Sequence, residues 1–172
     1  MIPSARINAT IEILEKVDRS SFNVDRVTAS YFRQRRFAGV KDRSFIIGLV
    51  YRLIRNRIKI NWWLNSLDLA INPRSQVIAG LALFNEGPIE DTRDLFKQGV
   101  YSTGLLDDGE GNLIKELAAQ SIFNKKMPDN VKYECPDWIA DRLRPIYGDE
   151  TNSHLEALNT EASFALRLNT LT

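Results

Sequence analysis

The sequence predicts an all-α protein: a helical bundle over residues 1–125, then a helical connector and a terminal β-strand over residues 126–172 that begins a second domain. Three observations predict it. Apolar residues recur at helical spacings through the first 125 residues. Caps and breakers fall between those runs, at Asn23, Phe37 to Val40, Asn72-Pro73 and Gly87-Pro88. Strict apolar–polar alternation, the mark of a strand, is confined to Ser163 through Leu171.

The elements follow in order. Pro3 and Ser4 open a first helix with Ile7, Ile11, Leu14 and Val17 on one face. Asn23 caps a second helix carrying Val24, Val27 and Tyr31, which ends at the break from Phe37 to Val40. A third starts near Lys41 or Asp42. Its wide stripe of Phe45, Ile46, Leu49, Val50, Leu53 and Ile54 marks it as the central helix of the bundle. A short helix holds Trp62, Trp63, Leu64 and Leu67. Asn72-Pro73 caps the next, with Val77, Ile78, Leu81 and Phe84 turned inward. A helix from Ile89 to Phe96 follows. The glycines at 99, 104, 109 and 111, with Asp107 and Asp108, predict a surface loop up to Asn112, before a helix over Leu113–Phe123. After a polar linker, Pro136-Asp137-Trp138-Ile139 starts another helix, and a last one holds Leu155 and Leu158. The alternation of Phe164, Leu166 and Leu168 then predicts the strand. An isolated strand cannot satisfy its ladder hydrogen bonds, so the strand implies a fragment cut as a second domain begins.

Charge is segregated behind a formal net of +1. Residues 1–25 are net −1. Residues 26–60 set ten basic residues against the single acid Asp42, net +9, and residues 61–172 are net −7. On a helical wheel, Lys41, Gly48, Arg52, Arg55 and Lys59 fall within about 60° of one another, opposite the apolar stripe. Arg33, Arg35 and Arg36 lie just upstream, with Arg43 in the first turn. A solvated helix face normally interleaves acids with its bases. An uninterrupted run instead suits a polyanion such as RNA, where displaced counterions supply affinity without sequence specificity. The expected RNA-contacting set is Arg33, Arg35, Arg36, Lys41, Arg43, Arg52, Arg55 and Lys59. Tyr31, Phe32, Phe37 and Tyr51 lie among these charges, and an exposed ring there would stack on unpaired bases. Phe37, Trp62 and Trp63 fit core positions better than stacking platforms. Gly48 suits either helix packing or close approach of a partner.

Nothing in the sequence carries chemistry. Cys135 is the only cysteine, so no intrachain disulfide is expected, which suits a reducing cytoplasm. It has no neighbouring base, and His154 is the only histidine, too few for a metal site. Asp107 to Asn112 lacks the ligand order of a calcium loop and reads as an acidic surface loop. No dinucleotide or Walker motif is present. No apolar run approaches the roughly 20 residues that span a bilayer, so no membrane partner is expected.

Two stretches resemble a known family. Arg33-Gln34-Arg35-Arg36-Phe37, Gly39 through Ser44, Val50 through Arg55 and Asn61-Trp62-Trp63-Leu64 resemble the N-terminal domain of the RsmB/Sun family, S-adenosylmethionine-dependent cytosine-C5 methyltransferases of ribosomal RNA. Pro136 through Ile139, Tyr147-Gly148, Leu155 through Asn159 and Leu166 through Leu171 resemble that family's segment leading into the small domain before its catalytic fold. The resemblance spans nearly the whole chain but only the front of the family. It implies a NusB-like helical bundle that holds ribosomal RNA, with the parent's own catalytic domain as a second partner. It implies that S-adenosylmethionine and the two catalytic cysteines belong to the parent's later part. Cys135 matches neither, so no cofactor and no catalytic residue is expected here. Two other readings stay open. One is a stand-alone NusB-type transcription antitermination factor that binds RNA with a ribosomal protein, against which the segment from Pro136 counts. The other is a protein-interaction module whose basic segment docks on an acidic domain. Ion pairing of Arg52, Arg55 and Lys59 with the chain's own acids would favour the latter.

Overall fold

The computed structural model describes residues 1–84, 89–160 and 166. All regular elements among them are helical. The expected Gly87-Pro88 stop lies outside the described residues, as does the terminal strand except for Leu166, which is exposed and in no regular element. The chain divides into two compact units, Met1–Met127 and Pro128–Thr172.

The first unit holds α1 (Pro3–Asp18), α2 (Val24–Gln34), α3 (Val40–Arg55), α4 (Arg57–Ser66), α5 (Pro73–Phe84), α6 (Ile89–Asp94) and α7 (Asp108–Ala118). Pro3 sits at the first position of α1, where its missing N–H costs no helical hydrogen bond. The helix packs on α2, α3 and α5. Ile7, Ile13 and Leu14 are fully enclosed, each contributing roughly 1.5–3 kcal/mol of transfer free energy. Asn23 caps α2 by accepting the Arg26 amide at 3.0 Å. Arg6 donates to Asp42 of α3 at 2.7 Å, and the Met1 amino group reaches the same carboxylate at 3.0 Å. These two cations, the amino group first, hold Asp42 below its ordinary carboxylate range.

The central helix is α5, not α3. It packs on α1, α3, α4, α6 and α7, and Gln76 through Gly80 are buried on every side. The physical reason is composition. Past its first turn, the run Val77-Ile78-Ala79-Gly80-Leu81-Ala82-Leu83 has no polar face, and such a helix is stable only when surrounded. The small residues set the packing distance: a Cβ at Gly80 would overlap Leu53 Cδ2 of α3. By contrast α3 is half-exposed, and Phe45, expected inward, is 43% exposed. The cap of α5 is reciprocal, Asn72 Oδ1 accepting the Ser75 amide and Ser75 Oγ accepting the Asn72 amide.

The surface loop expected up to Asn112 ends early. Asp107 and Glu110 form a capping box, Asp107 Oδ1 accepting the Glu110 amide at 2.7 Å and Glu110 Oε2 accepting the Asp107 amide at 3.1 Å. So α7 begins at Asp108, and it ends at Ala118 rather than Phe123. Glu110 also takes two hydrogen bonds from Arg74, at 2.5 and 2.8 Å. Arg74 donates as well to the carbonyls of Thr103 and Leu105, tying the preceding segment to α5.

The second unit comprises α8 (Asp129–Lys132), α9 (Asp137–Tyr147), a 3-10 turn over Gly148–Glu150 and α10 (Thr151–Asn159). Its small core joins Cys135, Ala140 and Leu155, flanked by Tyr133, Ile139 and Leu143.

Candidate nucleic-acid interface

The eight expected contact residues do not form one row. A single row requires a continuous helix through Lys59. Asn56, at φ −115° and ψ 21°, instead ends α3 and precedes α4, so the phase is lost after Arg55. Lys59 is turned inward, 4% exposed, with Nζ 4.9 Å from the Phe123 ring centroid. It is not a surface cation, contrary to the expectation from the helical wheel, and cannot make a phosphate contact.

Three others are engaged within the fold. Arg35 donates to Glu12 of α1 at 2.8 Å and lies 3.9 Å from the centroid of the Tyr31 ring. Burial, and then the neighbouring Glu12 carboxylate, hold the Tyr31 hydroxyl well above its ordinary range, so it remains a donor to Glu12 at 2.9 Å. Arg43 donates to the Ala38 carbonyl at 2.8 Å, fixing the turn between α2 and α3. Arg52 lies 4.0 Å from the centroid of Phe84. Arg55 is exposed beside Tyr51, 5.8 Å from its ring. The Tyr51 hydroxyl donates to Asp25.

Arg33, Arg36 and Lys41 are exposed, and among the described residues no carboxylate pairs with them. They occupy the last turn of α2, the turn that follows it and the first turn of α3. The neighbouring acids are turned elsewhere: Glu12 to Arg35, Asp18 to Arg57 at 2.6 Å, Asp25 to Tyr51 and Asp42 to Arg6. Positive charge without acidic partners therefore gathers at the end of α2 and at its turn into α3. Tyr31 and Phe32 are buried and cannot stack on a base. Phe37, expected in the core, is 70% exposed beside Arg36.

Residues outside the expected set lie on the face of α2 that also carries Arg33. A groove of about 520 Å³ between the end of α1 and α2 is lined by Lys16, Phe22, Arg26, Ser30, Arg33 and Gln34, among others. Arg26 belongs to the +9 segment, but its place on the surface depends on which face of α2 meets α1. Lys16 sits outside that segment altogether. Elsewhere, burial pushes the Cys135 thiol above its ordinary value, away from the nucleophilic thiolate form. No group of three or more histidine, cysteine or acidic side chains that could hold a metal occurs among the described residues. No helix among them is long and apolar enough to cross a membrane.

Taken together, the described residues form a helical fold with a basic face on α2 and on its turn into α3. No family model matches the chain, and no curated protein or solved structure does either.

Proposed function

We propose that the unit Met1–Met127 is an RNA-binding domain that grips a phosphate backbone through Arg33, Arg36 and Lys41, with Arg55 as an outlying contact. One observation carries the reading: Arg33, Arg36 and Lys41 stand exposed without a carboxylate partner among the described residues, while the nearby acids are engaged by other groups. The resemblance of these stretches to the front of the RsmB/Sun methyltransferases supplies the substrate class, ribosomal RNA, and the expectation of a NusB-like bundle. On this reading the chain positions RNA for a parent enzyme. Cofactor binding and methyl transfer are assigned to no residue of this sequence.

The same exposed cations suit a second reading, docking on an acidic protein domain, whereas Arg35 and Arg57 are already paired with Glu12 and Asp18 and serve neither. The two separate in one experiment. An anisotropy titration of the full chain with a ribosomal RNA fragment should give an affinity that falls steeply with salt. The triple change Arg33→Glu, Arg36→Glu, Lys41→Glu should abolish most binding. It should also reduce the log–log salt slope by about 2, since each phosphate neutralised on a single strand contributes roughly 0.7. Affinity indifferent to salt and to these changes overturns the RNA reading and leaves the docking one.

A further inference from the structure

We infer that the groove between α1 and α2 receives an unpaired nucleotide, whose base stacks on Phe22 and whose phosphates meet Lys16, Arg26 and Arg33. The inference rests on the RNA-binding reading above and adds to it the strandedness of the ligand.

Three features lead there. The first is size and shape. The groove holds about 520 Å³, within the roughly 300–1,000 Å³ of small-ligand sites and enough for one nucleotide. The second is charge. Lys16, Arg26 and Arg33 all line it, all three are exposed, and no carboxylate among the described residues lines it. The third is an aromatic face. Phe22 is 51% exposed, and Arg26 lies 3.7 Å from its ring centroid. A guanidinium held against one side of the ring leaves the remaining exposed surface for a base. It also supplies a second planar group on which bases stack. Ser30 and Gln34, both exposed at the rim, bring donors and acceptors for a base edge.

These features select single-stranded over duplex RNA. In an A-form helix the base faces are stacked on one another and cannot meet a ring inside a cleft. A flexible strand can turn one base outward while its phosphates stay on the cations. Phosphate attraction alone would need only an open basic surface such as Arg36 and Lys41 present. A half-exposed ring among cations adds nothing to it.

The test compares a short fluorescein-labelled RNA with the same strand annealed to its complement, each titrated with the full chain. Phe22→Ala should weaken single-strand binding about 5- to 150-fold, the range of one base–aromatic stack, and leave duplex binding unchanged. Phe22→Tyr should restore it. Ser30→Glu, at an exposed position with no core role, should weaken single-strand binding independently. Phe22 variants that bind the single strand like the wild type, while the Arg33/Arg36/Lys41 reversal still abolishes binding, overturn this inference and spare the surface reading. Failure of the wild-type chain to bind either RNA overturns both.

Discussion

Lysine and arginine side chains reach far, and their role is set by what lies beneath them. Arg35 and Arg36 are sequence neighbours with opposite fates. Arg35 packs on Tyr31 and pairs with Glu12, whereas Arg36 stands in solvent. Lys59 shows the same lesson more sharply, being enclosed against Phe123. The two kinds of site predict different mutant behaviour. Lys59→Glu should lower stability by on the order of 3 kcal/mol, because it places a carboxylate where a cation is buried. Arg36→Glu should change stability by less than about 0.5 kcal/mol and act on RNA affinity alone. Thermal unfolding followed by circular dichroism checks both. A Lys59→Glu chain that melts like the wild type would return Lys59 to the surface. Arg33, Arg36 and Lys41 were legible in the sequence because charge without acids needs no tertiary knowledge. Lys59 was not legible because the break at Asn56 carries no glycine or proline to announce it.

Helices are placed by the composition of their whole circumference. The wide stripe on α3 suggested the centre of the bundle, yet α5 occupies it, since α3 keeps Lys41, Ser44, Gly48 and Arg55 in water. The absence of a polar face on α5 marks the centre; the apolar stripe on α3 does not. The start of α7 carries a similar lesson. Asp107 and Glu110 spell a capping box, but the glycines at 109 and 111 spoke for a loop. The helix won because Glu110 has a second task in binding Arg74. Glu110→Ala removes the box and the Arg74 pair together. It should cost about 2 kcal/mol in a urea titration, from one missing cap and the charge-assisted hydrogen bonds. Arg74→Lys should be destabilising in its own right, since an ammonium cannot copy the paired geometry of a guanidinium. A Glu110→Ala chain of unchanged stability would show that the segment from Thr103 to Asp107 is held by other interactions.

At the scale of the molecule, the relevant quantity is where charge of one sign collects. The net of +1 conceals a basic stretch of +9 flanked by acidic ones. Folding engages several of those positive charges internally, with Glu12, Asp18 and the rings of Tyr31 and Phe84. What remains is concentrated on α2 and the turn that follows, with Lys16 of α1 added across a groove. The sequence located the basic segment within the chain. Only the packing of α2 on α1 decides which of its cations face outward. The most direct test of that assignment is amide chemical-shift mapping of the full chain as single-stranded ribosomal RNA is added. The account predicts shifts concentrated at Lys16, over residues 22–41 and at Arg55, weakening as salt is raised, while α5 and α9 stay unmoved. Shifts centred on α9 and α10, or none at RNA concentrations that saturate the anisotropy signal, would contradict it.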